Sequence, residues 1–510
     1  MAGEFHTVTA GTGNLALGQS AGAAIAAGAN YNVLLGNNAG AAISTGDNNV
    51  AVGYNALMTE DAHGFNVAVG KDALKVLNAG AHGNNVAVGA LAGTALTAGT
   101  NNIFIGYSAG TATILGGENV AIGYAALLTN DYGSGSTGVG HQALRSQDPA
   151  GTSAVSMYNT ALGYNSSYAI NTGQYNTNLG AFSGSNVTSG NGNVSVGYAS
   201  LYYTTGEYNV AIGYNALAGT DGSSTASYNI AIGGYAGDAI TVGDRNVALG
   251  YTALSLNTVG DRNVAIGAYA LATNNPDSNE DSYNTAVGEQ AGYAVSTGKN
   301  NTLVGGLAGN AINTGNYNTS LGYYAGSTNQ TGSYNVCLGW STNTDANSTN
   351  YAIAIGTNFT AEASQIDIGH GSNTTYKSIT ATSWSFPSDE RIKTNIVDEN
   401  MGLSFINRLQ PRKFNWKASS EVPETLTSQY SETESWKDTT ILQHGFVAQE
   451  VKAAMDAESI PDTYGVWNTK SDGTQGLAPG ELVIPLVNAV KELAAENASL
   501  KARIEALESA

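Results

Sequence analysis

A short unit of the form Asn-Val-Ala-Val-Gly recurs from the start of the chain to about residue 370, and it restricts the possible folds more than any other feature. Most of the glycines that close the unit are 17 residues apart, a spacing typical of stacked repeats. The closing glycines are Gly18, Gly36, Gly53, Gly70, Gly89, Gly106, Gly123, Gly140, Gly163, Gly180, Gly197, Gly213, Gly233, Gly250, Gly267, Gly288, Gly305, Gly322, Gly339 and Gly356. The repeat predicts an elongated β-solenoid, because such short units bury their apolar faces only when neighbours stack.

Each unit has the pattern strand, corner, short strand, turn. In residues 49–53 (NVAVG) the two valines occupy positions i and i+2, so they point to one face of a strand and the alanine points to the other. A second apolar pair follows at Ala56 and Leu57, and residues 44–48 (STGDN) tolerate turn geometry. We expect the Val/Ile/Leu column to face the interior of the coil, and the small middle residue to face another chain.

The composition narrows the class of protein. A hydrophobic content of 42% argues against disorder, and a net charge of −20 argues against a nucleic-acid partner. The single cysteine, Cys337, replaces an alanine of the repeat, and we interpret it as inert packing. The histidines are scattered without metal-ligand spacing, so we expect no metal and no cofactor. The absence of a leader and of a long apolar run predicts synthesis in the cytoplasm without membrane insertion.

The spacing departs from 17 at four places: from Gly140 to Gly163, from Gly197 to Gly233, from Gly267 to Gly288, and after Gly356. Extra residues in a solenoid form surface loops that often bind partners. The candidates for receptor contact are therefore residues 124–137, 146–158, 219–228 and 272–283. The alternative is that these are tolerated insertions without function.

Tyrosine often follows the closing glycine, which predicts a column of rings along the solenoid. The residues are Tyr54, Tyr107, Tyr124, Tyr164, Tyr198, Tyr214, Tyr251 and Tyr323. The rings either pack between coils or stack on sugar rings, since tyrosine combines a flat apolar face with a polar tip. Paired carboxylates such as Glu280 and Asp281 leave open the alternative of a polysaccharide-degrading enzyme.

A second domain begins near Ser388, where Lys, Arg, Trp and Pro replace the repeat. The segments 388–393 (SDERIK), 402–417 (GLSFINRLQPRKFNWK) and 444–451 (HGFVAQEV) resemble, in this order, the intramolecular chaperone of endosialidases. This self-cleaving domain is found behind many bacteriophage fibres and spikes. The resemblance covers residues 388–510, and the repeats before it resemble the heads of trimeric autotransporter adhesins and Gly/Asn-rich phage tail fibres.

The resemblance implies a Ser/Lys dyad in which Ser388 is the nucleophile and Lys393 the base, with cleavage between Pro387 and Ser388. A lysine accepts a proton only if burial or nearby positive charge, such as that of Arg391, favours its neutral form, and trimer assembly would supply that burial. Asp389, His444 and Gln449 lie in the matching blocks and are expected to orient the dyad. Ser388 is also a candidate helix N-cap.

The C-terminal segment 486–508 has the spacing of a coiled-coil seam. Its core positions are Leu486, Val490, Leu493, Asn497, Leu500, Ile504 and Leu507. Asn497 would be a buried polar residue that fixes the register. The pattern alone permits a dimer, and the chaperone resemblance implies a homotrimer.

The sequence therefore predicts a mainly β, homotrimeric parallel β-roll followed by a small α+β chaperone domain that ends in a coiled-coil helix. The expected domains are a lead-in (1–13), a shaft (14–370), a linker (371–387) and the chaperone (388–510). We expect a virion tail fibre or tailspike that contacts tail or baseplate proteins and binds a host-surface glycan or outer-membrane component. Besides a polysaccharide-degrading spike, the alternatives are a fibre of a contractile injection particle and a bacterial surface adhesin.

Overall fold

The computed structural model describes residues 10–80, 82–220, 224–380, 388–426, 429–433 and 438–509. The chain divides into two compact units, Met1–Pro387 and Ser388–Ala510, and each is described by itself. Within the described ranges, no helix combines the length and the apolar character that a bilayer span requires.

The first unit is built from very short strands. Their bounds, numbered β1 to β26 in chain order, are Leu15–Leu17, Val33–Leu35, Val50–Val52, Val67–Val69, Val86–Val88, Ile103–Ile105, Val120–Ile122, Gly133–Ser134, Thr137–Val139, Val155–Ser156, Thr160–Leu162, Thr177–Leu179, Val194–Val196, Val210–Ile212, Ile230–Ile232, Val247–Leu249, Val264–Ile266, Thr285–Val287, Thr302–Val304, Thr319–Leu321, Val336–Leu338, Thr342–Thr344, Ile353–Thr357, Phe359–Ala361, Gln365–His370 and Asn373–Ser378.

One 22-stranded sheet runs through this unit, and each coil of the chain contributes a strand to it. Neighbouring strands from β1 to β25 are parallel and in register, so that Val50 pairs with Val67 and Val247 with Val264. This confirms the predicted parallel β-solenoid. Coil length varies at two places that the sequence analysis did not count, because Leu15 pairs with Val33 and Val67 with Val86.

The closing glycines stand where two coils approach most closely. Gly53 has φ +136°, and a Cβ built on it would lie 2.5 Å from the carbonyl oxygen of Gly70 in the next coil. An L side chain is therefore excluded by both conformation and space. The contact repeats along the sheet and explains why glycine closes the unit.

The prediction of which face is buried was wrong. In the three-residue strands of the large sheet it is the middle residue, such as Ala51 or Ala248, that is buried, while the flanking residues are partly or fully exposed. Ala248 lies in one apolar cluster with Leu254 and Leu271, which are fully buried. Because these leucines already fill the interior of their coils, only a small side chain fits at Ala248, whereas the large Phe104 takes the same position where Gly93 and Gly110 replace the leucines. The Val/Ile/Leu column therefore faces outward.

In most of the described coils hydrogen-bonded turns occupy the place of the expected second short strand, which forms only near the end of the shaft, where β22 and β24 pair in parallel. Leu57 and Leu254 have φ values of +50° and +54°, in the left-handed region, so the backbone cannot stay extended there. Each nevertheless bonds the next coil, since the Leu57 N–H donates to the carbonyl of Ala73 at 2.9 Å. The turns thus direct the leucines inward without forming a second sheet.

A ladder of buried asparagines accompanies the strands. Asn246 Nδ2 donates to the carbonyl of Gly260 at 2.9 Å, and its Oδ1 accepts the backbone N–H of Asn263 at 2.9 Å. Ser136 interrupts the series, and there Gln147 Oε1 accepts from Asn159 Nδ2 at 2.8 Å in place of the missing amide. The repeated Asn therefore satisfies buried backbone groups in both directions along the stack.

The segment predicted as a linker contributes a strand. Gly371, at φ +56°, allows a tight turn with Ser372, so that β26 folds back antiparallel on β25 and pairs His370 with Asn373. Residues 373–378 of the segment predicted as a linker therefore belong to the large sheet. Residues 381–387 lie outside the described residues.

The second unit has three α-helices and two antiparallel strand pairs within its described residues. In chain order its elements are α1 Leu403–Arg408, β27 Arg412–Phe414, β28 Gln443–Gly445, α2 Ala448–Ala457, β29 Trp467–Thr469, β30 Gln475–Leu477 and α3 Val483–Glu508. The core is small and consists of Met401, Phe405, Val451, Ala454, Met455 and Val466. A mainly β shaft and a smaller unit ending in a long helix agree with the predicted fold class.

Candidate functional site

Ser388 and Lys393 lie together at the start of the second unit. Lys393 Nζ donates a hydrogen bond to Ser388 Oγ at 2.7 Å. A short 3₁₀ helix, Glu390–Ile392, separates them and turns the chain so that residues five apart meet. A hydroxyl one hydrogen bond from an amine is the arrangement that proton transfer from a serine nucleophile requires.

Asp389, and not Ser388, caps this 3₁₀ helix. Its Oδ1 accepts the backbone N–H of Arg391 at 2.8 Å, and its carboxylate also binds the guanidinium of Arg391. The expectation that Ser388 is the N-cap was wrong, because the carboxylate two residues before Arg391 takes that position. The Arg391 hydrogen bonds hold the pKa of Asp389 below its ordinary value. The carboxylate of Asp389 thus offsets the positive charge of Arg391, which was expected to act on Lys393.

The other predicted supporting residues lie on separate elements. His444 is exposed in β28, where it pairs with Lys413, and Gln449 is exposed in α2. Among the described residues, no hydrogen bond connects either side chain with Ser388 or Lys393. Pro387, the predicted residue before the cut, lies outside the described residues.

Gln449 instead lines a cavity of about 660 Å³ in the second unit. Its walls include the aromatic residues Phe414, Trp416 and Phe446. No pattern in the sequence indicates this cavity, because its apolar residues come from segments far apart in the chain.

The dyad is open to water in the single chain. Ser388 and Lys393 are both exposed, as are all the residues between them. The second unit therefore positions the two groups without supplying the burial that favours a neutral lysine.

Helix α3 carries the predicted coiled-coil seam, and that seam is exposed. Only Pro485 and Ala489 of the helix are buried, against the unit's own residues. Asn488 Nδ2 donates to the carbonyl of Glu399 at 2.7 Å, and Glu492 Oε2 accepts the N–H of Leu403 at 2.8 Å. The seam residues Leu486, Val490, Leu493, Asn497, Leu500, Ile504 and Leu507 are exposed. One face of the helix is thus anchored at its N-terminal part, while a seam of seven positions, six of them apolar, stays uncovered.

The tyrosine column forms a ladder of rings on the first unit. Tyr107 stacks on Tyr124 with centroids 5.7 Å apart, and His141 stacks between Tyr124 and Tyr164 at 5.0 Å from each. Tyr107 nevertheless keeps 51% of its surface exposed. The rings therefore contact one another between coils and also present their edges to solvent.

A second ladder, which the sequence analysis missed, precedes the buried asparagines. Tyr334 stacks between Tyr317 and Tyr351 with centroids 4.9 and 5.1 Å apart. These tyrosines have left-handed backbones, with φ +62° at Tyr334. In the sequence, the dipeptide Tyr-Asn precedes many of the strands. Because the dipeptide lies in a turn, its tyrosines were not recognised as a regularly spaced column of rings.

Three of the four candidate receptor segments lie at coils of irregular length, whereas 124–137 lies in a coil of regular length, in which Val120 pairs with Thr137. Residues 124–137 and 146–158 contribute β8 and β10, which pair in parallel, and three residues of 219–228 lie outside the described residues. In 272–283, Glu280 binds Lys299 and Asp281 binds Arg262. Lys299 lowers the pKa of Glu280, which is unsuited to a general acid.

Cys337 is a middle residue of β21 and is almost fully buried. Burial raises the pKa of its thiol to about 12, so the thiol is neutral at physiological pH. Among the described residues, no three His, Cys, Asp or Glu side chains form a group able to hold a metal ion.

Comparison with known proteins places the dyad in a described family domain. The family model described as chaperone of endosialidase matches residues 388–460, which begin at Ser388. No curated protein and no solved structure matches the chain. The C-terminal unit thus carries an endosialidase-type chaperone domain behind a long β-solenoid, a combination that fits a tailspike or tail fibre.

Proposed function

We propose that the chain is one protomer of a homotrimeric bacteriophage tail fibre or tailspike that attaches to a host surface, and that its C-terminal unit directs trimerisation and then cleaves itself off before Ser388. The observation that carries this proposal is the hydrogen bond between Lys393 Nζ and Ser388 Oγ. It lies at the first residue of the second compact unit and at the first residue of the family match.

Cleavage would proceed through an ester. Lys393, when neutral, takes the proton of the Ser388 hydroxyl as Oγ attacks the carbonyl carbon of Pro387. The peptide C–N bond breaks, the Ser388 nitrogen receives the proton and becomes a free amine, and an ester links the Pro387 carbonyl with Oγ. Water then hydrolyses the ester and releases the C-terminal unit with Ser388 at its start.

Trimer assembly would switch this chemistry on. In the single chain both members of the dyad are exposed, and the apolar seam of α3 is uncovered. Partner copies that bury the seam would also exclude water from residues near it and so favour a neutral lysine. Cleavage would then report that three chains have associated.

The shaft supports the same arrangement. Its strands expose a continuous apolar stripe, which includes Ile230 at 38% and Ile232 at 37% exposure. A stripe of this length on one protein surface is typical of an interface. Three copies related by a rotation axis would bury it without leaving a free edge.

Intact-mass and denaturing-gel analysis of the purified wild type, Ser388→Ala and Lys393→Ala tests the proposal. We expect a wild-type fragment that begins at Ser388 and is absent from both variants. Lys413→Ala, which removes another exposed lysine of the same unit, is the matched control and should cleave normally. A single 52.0 kDa species in all four proteins would show that the unit is a permanent cap and that the proposed protease function is wrong.

A further inference from the structure

A cavity of about 340 Å³ lies on the first unit where three consecutive coils meet. Its walls include Phe182, Tyr198, Tyr202, Tyr203, Asn215 and Gly219. The volume falls at the lower end of the roughly 300 to 1,000 Å³ that is typical of ligand pockets. None of these residues belongs to a strand, so the cavity lies off the strand face that carries the apolar stripe.

The hollow follows from the sequence of neighbouring coils. Tyr202 and Tyr203 are the fifth and sixth residues after the closing Gly197, and in the next coil Ala218 and Gly219 hold the same positions. The two pairs are adjacent, because the Tyr203 N–H donates to the carbonyl of Ala218 at 2.7 Å. Because two large rings lie beside two of the smallest residues, the surface is recessed at Ala218 and Gly219, and this recess is the cavity. No other coil places aromatic residues at both positions.

The rings present their faces in different directions. Tyr202 and Tyr203 are 4.5 Å apart at 86°, and Phe182 lies edge-on to Tyr202 at 6.3 Å and to Tyr198 at 5.7 Å. A ladder of parallel rings would cover these faces, whereas the perpendicular arrangement leaves apolar surfaces and phenol groups around the hollow. Asn215 adds an amide to the wall.

We infer that this cavity binds a neutral saccharide, one or two rings of a host-surface glycan. The faces of aromatic rings carry partial negative charge and attract the C–H groups of a sugar ring, while phenol and amide groups hydrogen-bond its hydroxyls. The lining residues bear no formal charge at neutral pH, and the net charge of the chain is −20. Both properties disfavour an acidic sugar and favour a neutral one.

The inference rests on the proposed host-attachment function, and it is tested with full-length protein by saturation-transfer NMR and calorimetry. The probes are lactose, maltotriose and N,N′-diacetylchitobiose at millimolar concentration, with 3′-sialyllactose as the anionic comparison. We expect a neutral probe to bind, and Tyr202→Ala or Tyr203→Ala to weaken it about tenfold, the loss typical of a truncated aromatic anchor. Tyr334→Ala, which removes a stacked ring on the other ladder, should leave binding unchanged.

Three outcomes would overturn the assignment: no binding of any neutral probe by the wild type, equal binding by the Tyr202→Ala, Tyr203→Ala double variant, or preference for the sialylated probe. Trimerisation and cleavage are measured on the same samples. A wild type that is trimeric and cleaved but binds no probe contradicts the saccharide site alone, whereas one that is neither trimeric nor cleaved contradicts the proposed function.

Discussion

The two units of the chain differ in how much of their structure a single chain can complete. The shaft satisfies its interior by itself, since Ala248 and Leu254 are buried and the asparagine ladder bonds backbone groups from coil to coil. The C-terminal unit has a core of six buried residues, while the leucines of α3 are exposed, from 43% at Leu493 to 78% at Leu507. The shaft thus buries its interior by repetition, whereas the C-terminal unit leaves the apolar positions of α3 uncovered in the single chain.

This difference explains why a repetitive shaft would benefit from a separate unit that sets the register between chains. Each coil presents nearly the same outward stripe, so two shafts can align in many registers that differ by whole coils. The seam of α3 has only seven core positions, so it has few such alternatives. Association through α3 would therefore choose the register before the stripes meet.

The largest expected effect comes from charging the seam. Leu493→Asp places a carboxylate where partner helices would meet, and burying an unpaired charge is strongly unfavourable. We expect the trimer to dissociate and cleavage to be lost, while the coils of the shaft keep their amide protection. Analytical ultracentrifugation and intact mass measure the two losses.

The control for this variant is Ala495→Asp, which adds the same charge to an exposed position of α3 outside the seam. It should remain trimeric and cleave. A Leu493→Asp protein that is still trimeric would contradict the idea that association depends on α3. A Leu493→Asp protein that is monomeric yet cleaves efficiently would contradict activation by assembly.

The second effect comes from removing one asparagine of the buried ladder in the shaft. Asn246→Ala removes the acceptor of both the backbone N–H and the side-chain amide of Asn263, while the carbonyl of Gly260 keeps the amide of Asn257. We expect the free energy of local opening of the adjacent coils to fall by about 2 to 4 kcal/mol, since each buried unsatisfied group costs about 1 to 3. Hydrogen exchange read by mass spectrometry resolves this locally, which a single melting temperature of a repeat array does not.

Asn37→Ala removes an exposed asparagine from the same unit and serves as the control. Equal exchange in both variants would show that the ladder contributes nothing beyond the strands. The expected result confines the faster exchange to the coils on either side of residue 246.

The third effect distinguishes the inner face from the outer one. Ala248→Val overfills the interior beside Leu254 and should lower the local opening free energy by about 1 to 3 kcal/mol. Val247→Ala, on the outward face, should cost less when both are compared in the monomeric Leu493→Asp background. The reverse order of the two costs would restore the arrangement that the sequence predicted.

The smallest effect is a pH dependence within the shaft. Burial raises the pKa of Asp238 from 3.8 to about 6, and its Oδ1 has no hydrogen-bond partner among the described residues. The folded state therefore binds more protons than the unfolded state between these values, so stability falls as pH rises through that window. Exchange near Asp238, corrected for the intrinsic rate, should be slower at pH 5 than at pH 7. Asp238→Asn should abolish the difference, and Asp277→Asn, at an exposed site, should retain it.

The sequence predicted the period of the shaft well because glycine is required wherever two coils touch, as at Gly53. It did not predict which face of each strand is buried. The alternation of valine and alanine assigns them to opposite faces of the strand, but it does not show which face has room for valine. The ladder of Asn246 was missed because asparagine before a strand is equally typical of a turn.

The candidate site shows the same limit. The order of the blocks after Ser388 predicted the pair that the structure places in contact, whereas the cap by Asp389 depends on a local turn that the pattern did not resolve. The exposure of Lys393 and Leu493 concerns surfaces that partner chains would cover, and one chain's sequence describes no partner geometry.

The in-register pairing of the strands means that the length of the shaft changes only in whole coils. Because Val247 aligns with Val264 and the pattern continues on both sides, removing residues 247–263 would shorten the stack by one coil, roughly 4.8 Å, and leave both ends unchanged. Duplication or loss of a repeat in the gene would thus adjust the reach of the molecule in uniform increments. A descendant could acquire a longer or shorter shaft without redesigning any contact.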